Sequence, residues 1–227
     1  MEKSKSSYWM NAYALASSRK AAIDKLRIDR FLGATFSDIG EAQIHDFSLP
    51  LEIIKGVQDD GFGALNYSIT PFYWTNILLA STVDGICFLG FIDAPESHDL
   101  EAEIRKNYPK SKLTQKKDQF QINLLEGLHG KPCDAIALHI RGTEFQNKVW
   151  QELVKLKPDE LVTYKELADR LGKSNAFRAV GTAVGQNPIS LFIPCHQVVG
   201  SNNRLAGYRW GLVTKLSLLI GEQGIHE

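Results

Sequence analysis

Apolar residues recur with two different periods along this chain, and the change of period divides it. Residues 1–60 read as helical and poorly punctuated. Residues 8–32 are rich in Ala, Lys and Arg, while 45–56 carry Phe47, Leu49, Leu51, Ile53 and Ile54 around Pro50, which interrupts any single helix. From 64 the period shortens. Residues 64–69 and 75–81 read as extended, and Asp84-Gly85 separates the apolar runs 77–80 and 86–91, a strong hairpin signal. A short helix is expected over 99–108, ended by Pro109. A lysine-bearing polar loop follows over 111–119, then a helix over 120–128 and a strand over 135–140.

At Arg141-Gly142 the helical period returns, and a domain boundary is placed there. Thr143-x-x-Gln146 and Thr163-x-x-Glu166 are capping-box patterns. The first opens a helix carrying Phe145, Val149, Leu153 and Leu156. The second opens residues 164–171, with Gly172 as the stop. Residues 176–185 form the next helix, with Phe177, Val180, Gly181 and Val184 as its buried stripe. The two short helices make a helix-turn-helix candidate. The outward face of the second carries Arg178, Ala179, Thr182 and Gly185. So slim a face suits either a narrow groove or a tight helix–helix contact. Ile189, Leu191 and Ile193 alternate as in an extended segment, and a last amphipathic helix carries Leu212, Leu216, Leu219 and Ile220 to Glu222. The pattern as a whole predicts an α+β chain of three parts. These are a helical extension over 1–60, a small α/β domain with a hairpin sheet over 61–141, and a mainly helical domain over 142–227.

Composition excludes more than it identifies. The chain has 227 residues, 44% hydrophobic and 23% charged, enough for a real core. No apolar run approaches the roughly 20 residues of a membrane span, and no secretory leader is visible, so a cytoplasmic protein without a membrane is expected, or a nuclear one in a eukaryote. The three cysteines, Cys87, Cys133 and Cys195, are widely spaced without a CxxC, which suits a reducing compartment and disfavours a zinc site. Basic and acidic residues balance at 26 each. The balance is local, however. Lys165, Arg170, Lys173, Arg178, Arg204, Arg209 and Lys215 face only Glu166 and Asp169 across 165–215, which suits a phosphate-bearing partner or a solvated face.

Cys195-His196 is the one candidate nucleophile pair. The thiolate is the reactive form, and a free Cys titrates at about 8.5. A neighbouring imidazole oriented by a carboxylate, with Glu222 available, would raise the ionised fraction. By itself the pair is also compatible with a buried Cys beside an incidental His. Cys87, in an apolar strand, and Cys133, in a loop, read as structural.

Residues 187–199, Asn-Pro-Ile-Ser-Leu-Phe-Ile-Pro-Cys-His-Gln-Val-Val, resemble the signature of the O6-alkylguanine-DNA alkyltransferases, of Ada/Ogt type. The resemblance continues through Gly142 to Trp150, Val162 to Ala168, Arg178 to Gly181 and Leu205 to Gly211, and covers nearly all of 142–222. It implies a small ribonuclease H-like N-terminal domain followed by a DNA-binding domain with a helix-turn-helix. The implied activity is irreversible transfer of a methyl or other alkyl group from O6-alkylguanine, with O4-alkylthymine as a second lesion, to Cys195. One protein is consumed per lesion and no cofactor or metal is needed. By the same resemblance His196 is the base acting through a water, Glu222 its carboxylate partner, and Asn187 the bridge to the helix-turn-helix. Tyr164 protonates the departing guanine. Val198, Tyr208, Arg209 and Trp210 form the pocket. Arg178, Ala179, Gly181, Thr182 and Lys173 meet double-stranded DNA in the minor groove, with Arg178 filling the stack vacated by a flipped base. A monomer is implied. The family's usual Arg after Cys-His is Gln197 here, and Arg209-Trp210 stand where some relatives have Ser-Gly, a bulkier wall that favours methyl adducts. His45 to Glu52, with Gly61 and Tyr67, resemble the tail of an AraC-type DNA-binding domain, which Ada-type response proteins fuse to this enzyme. The region is too short for a complete domain, so a remnant is implied. The alternatives are a transcriptional regulator of the alkylation response with the transferase part as sensor, and a cysteine hydrolase using Cys195, His196 and Glu222.

Overall fold

The computed structural model describes residues 49–55, 62–158 and 160–223. Six strands, β1 (Leu51–Lys55), β2 (Ala64–Phe72), β3 (Thr75–Ser81), β4 (Ile86–Ile92), β5 (Lys112–Gln115) and β6 (Ile136–Ile140), form one sheet in the order β1-β6-β4-β3-β2-β5. The β2–β3 and β3–β4 pairs are antiparallel, and β5 and β6 join β2 and β4 in parallel. β3 and β4 have almost every side chain buried, as the centre of a sheet covered on both faces requires. Helices α1 (Leu100–Arg105) and α2 (Gln119–Leu128) belong to this unit, each capped by an aspartate, Asp99 and Asp118.

Four helices follow: α3 (Glu144–Val154), α4 (Tyr164–Arg170), α5 (Phe177–Gly185) and α6 (Leu212–Gln223). Both capping boxes form, with Thr143 and Thr163 as N-caps, and Gly172 takes the left-handed φ of 66° that ends α4. α5 packs against α3 and α4. Two strands of two residues, β7 (Val162–Thr163) and β8 (Val198–Val199), pair in parallel. One apolar cluster runs from Ile77, Leu89 and Leu138 in the sheet through Trp150 and Val180 to Ile189 and Val198. A second fills the opposite face around Leu78, Phe88, Ile104 and Tyr108.

Four expectations change. Residues 51–55 are a strand, not helix: beyond Pro50 they pair in parallel with β6. The helical reading of residues 1–48 and 56–60 lies outside the described residues. The polar segment 111–119 contains β5, because β2 offers a free edge that 112–115 close. Residues 189–193 are a compact buried turn rather than a strand. Ile193 N–H reaches back to Ile189 O, and Leu191 takes a positive φ of 75°. Phe177 is 45% exposed. It shares the phase of Val180 and Val184 but is the first residue of α5, where the helix has only begun to be covered.

Candidate active site

The turn that carries Cys195 is fixed from three directions. Upstream, the segment is tied to the central sheet: Leu89 N–H donates to Pro188 O at 2.9 Å and Ser190 N–H to Leu89 O at 3.0 Å. Within it, Asn187 Nδ2 donates to Ile193 O at 2.8 Å and to Cys195 Sγ at 3.0 Å, while its Oδ1 accepts from Ile189 N–H at 3.0 Å. Downstream, β8 pairs with β7, setting Val198 beside Val162 and Val199 beside Thr163. Thr163 also caps α4, so this pairing brings the cysteine turn to the start of the helix that opens with Tyr164.

His196 is fully buried and Glu222 nearly so. His196 Nε2 lies 2.5 Å from Glu222 Oε1. With the proton on Nε2, Nδ1 is an open acceptor, and it has no hydrogen-bond partner among the described residues. Gln197 Nε2 holds the other carboxylate oxygen at 3.2 Å and Lys157 O at 2.8 Å. The amide thus ties Glu222 to the end of the 155–158 loop without bringing a charge. His196 makes no hydrogen bond to Cys195; the sulfur's partner is Asn187.

Burial pushes the Cys195 thiol above the range of a free cysteine. The Asn187 hydrogen bond, the Lys215 ammonium and the Tyr208 and Ser190 hydroxyls oppose that rise without cancelling it. The expected enrichment in thiolate is therefore absent here. Lys215 is a site residue that the sequence reading passed over. It is fully buried, donates to Val198 O at 2.6 Å and Ala206 O at 3.3 Å, and is lowered by desolvation to about 8. The signal was present: Lys215 falls between Leu212 and Leu219 on the apolar stripe of α6, where a cation needs a reason. Tyr164 is held above the usual phenol range by burial and then by Cys195, so it stays protonated.

Cys195 opens into a cavity of about 250 Å³ lined by Tyr164, Gly181, Val184, Asn187, Ser190, Tyr208, Arg209 and Trp210. That volume is below the roughly 300–1,000 Å³ of pockets for drug-sized ligands and suits one flat ring system. The geometry thus brings together Cys195, Asn187, Tyr164, Tyr208, Arg209 and Trp210 in one cavity, with His196, Glu222 and Val198 behind it. Arg178, Ala179 and Thr182 lie exposed along α5, and Lys173 is exposed on the turn before it, its Nζ 5.8 Å from the Phe145 ring. Gly181 differs from these four: it is half-buried and faces the Tyr164 ring. Three of the seven cations of the basic segment have hydrogen-bonding partners, Arg170 in Glu160, Arg209 in Glu103 and Lys215 in backbone carbonyls, while Lys173 and Arg178 lie beside aromatic rings. Among the described residues no group of three or more His, Cys, Asp or Glu is arranged to hold a metal, and no helix is long and apolar enough to cross a membrane.

Residues 144–224 match the family model of the 6-O-methylguanine DNA methyltransferase DNA-binding domain. The inducible methylated-DNA–protein-cysteine methyltransferase of Bacillus subtilis is 34% identical over 68% of this chain and 88% of its own length. The bifunctional transcriptional activator/DNA repair enzyme Ada of Escherichia coli is 35% identical over 69% of this chain but 45% of its own length. The crystal structure of Mycobacterium tuberculosis OGT in complex with DNA superposes with a TM-score of 0.54 at 27% identity, covering 70% of this chain and 94% of that one. Fold and sequence agree on a DNA repair methyltransferase with its DNA-binding domain. The chain belongs to the methylated-DNA–protein-cysteine methyltransferase family.

Proposed function

We propose that this protein repairs duplex DNA by moving a methyl group from guanine O6 onto Cys195, once per molecule. The observation that carries the reading is a buried thiol on a ring-sized cavity, with a hydrogen-bonded His196–Glu222 pair immediately behind it. In the step itself the sulfur attacks the methyl carbon and a C–S bond forms as the C–O6 bond breaks. The bonding pair leaves on the guanine. The thiol proton passes through a water to His196, whose Nδ1 is the open acceptor, and Glu222 steadies the resulting imidazolium. The Tyr164 hydroxyl protonates the departing base. Because burial disfavours a standing thiolate, proton removal belongs with the attack rather than before it. A thioether has no good leaving group, so the protein is spent. O4-methylthymine is a second, slower substrate, since it presents the same alkyl–oxygen bond on a smaller ring.

The target carbon is inside the duplex, and the nucleotide has to be turned out at a cost of a few kcal/mol. α4 and α5 act as the helix-turn-helix. The slim face of Ala179, Thr182 and Gly185 enters the minor groove, Arg178 fills the gap left by the base, and Lys173 meets phosphate. Residues 51–55 and 62–141 serve as a ribonuclease H-like support domain, β1 extending the expected 61–141 unit: β2, β3 and β4 run antiparallel with β5 parallel at the β2 edge. The active domain begins at 142, and the protein works as a monomer. The match to Ada covers 45% of that protein, too little to carry its activator function across.

The test is transfer from a duplex bearing O6-methylguanine with a labelled methyl. Label is expected on the protein, and none on Cys195→Ala, which should still bind the duplex. Label on the variant, or release of free methanol, would contradict the reading.

A further inference from the structure

One wall of the cavity is a segment without regular secondary structure, 205–211, and its fastening reaches across to the sheet unit. Between Ala206 and α6 its links to the rest of the protein are made by side chains. Trp210 Nε1 donates to Ser190 Oγ at 2.6 Å, and the indole lies over β4 at Gly90, where a Cβ would sit 2.5 Å from its Cζ2. Arg209 Nη2 donates to Glu103 Oε1 at 2.7 Å, a contact spanning 106 positions of sequence. The guanidinium stacks on the Trp210 ring, 4.8 Å from its centroid. Glu103 is only 8% exposed, and its second oxygen is taken by Lys106. α1, which carries Glu103, is itself fixed by its Asp99 cap.

We infer that Glu103 is a specificity-determining residue: through Arg209 it latches the 205–211 wall against the sheet unit and so sets the width of the alkyl pocket. The inference rests on the proposed transferase activity. Glu103 lines no part of the cavity and touches no reacting atom, so it is a positioning residue. A methyl group fits the cavity with the wall closed. A benzyl group requires the wall to move outward, and the latch opposes that motion. Burial pushes the Glu103 carboxyl up, but the hydrogen bonds from Lys106 and Arg209 outweigh it and hold the group below its usual range, so the pair stays ionised at neutral pH. Both partners are largely buried, so removing one leaves the other's charge uncompensated.

The experiment compares single-turnover rates on one duplex carrying either O6-methylguanine or O6-benzylguanine, for wild type, Glu103→Gln, Arg209→Met and the double variant. Glu103→Gln is expected to raise the benzyl-to-methyl rate ratio about fivefold, the double variant adding nothing beyond Arg209→Met, as coupled neighbours do. The methyl rate of Glu103→Gln should stay within about twofold of wild type, since its effect passes only through the wall. A purely structural role would slow both substrates together and leave the ratio unmoved, which overturns the latch. Independent, multiplying effects of the two substitutions overturn it as well. A wild type that accepts neither group overturns the transferase reading and the latch with it, whereas a wild type that accepts methyl with an unmoved ratio removes the latch alone.

Discussion

A sulfur atom sealed from water is a poor anion, and the side chains around Cys195 are arranged to offset that cost in part. The Lys215 ammonium favours the anion, although desolvation lowers Lys215 itself to about 8. The consequence depends on pH. Below about 8 the ammonium is charged and favours the thiolate; above it the charge and its help are lost. Lys215→Met should therefore slow methyl transfer at pH 7 about tenfold, equivalent to about 1.4 kcal/mol of the barrier. The gap between variant and wild type should narrow as pH rises through about 8, which stopped-flow transfer rates across pH will show. Stability moves the other way. Between pH 8 and 10.5 the unfolded chain keeps the Lys215 proton that the folded one has released, so wild type gains stability on the variant across that window. Cys195, His196 and Asn187 were legible from sequence through one continuous motif, and Glu222 as an available carboxylate on the last helix. Glu103 was not, because its only link to the site is a contact 106 residues away.

Short elements do the positioning. β7 and β8 have two residues each, yet they set the cysteine turn beside the N-terminus of α4. Thr163 belongs to both devices: it pairs with Val199 and caps α4, accepting from Glu166 N–H at 3.2 Å. Thr163→Ala should cost about 1 kcal/mol of stability, the usual loss for an N-cap, measured by urea unfolding. It should also loosen Tyr164, the first residue of the helix. Both capping boxes and the Gly172 stop were readable because their chemistry is local, a side chain meeting a backbone group three residues on. β5 and the 189–193 turn were not. β5 is polar except for Leu113, too little pattern to mark a strand, and it pairs along the edge that β2 offers. The alternation Ile189-Leu191-Ile193 mimics a strand, but sheet and helices surround the segment, so all of its side chains are buried whatever their phase. The same limit applies to Phe177: periodicity fixes the direction of a side chain but not where along the helix its cover begins.

The whole molecule is neutral and concentrates its function on one side of a seam. The sheet unit supplies the backbone bonds at Leu89, the glycine beneath Trp210 and the carboxylate for Arg209, and the helical part supplies the nucleophile and the exposed face of α5. Change of period at Arg141-Gly142 is where the sequence places a boundary, but no periodicity encodes how a sheet and a helical group meet. That register is set by pairs such as Trp210 over Gly90. Zero net charge means that attraction to DNA is a local property of the exposed cations, so binding should respond to salt through a handful of phosphates. The most direct measurement is the intact mass of the protein after exposure to an excess of O6-methylguanine duplex, followed by peptide mapping. One methyl group in place of the Cys195 thiol proton, and no further change however long the incubation, is the predicted result. An unchanged mass, or more lesions cleared than molecules supplied, would contradict it.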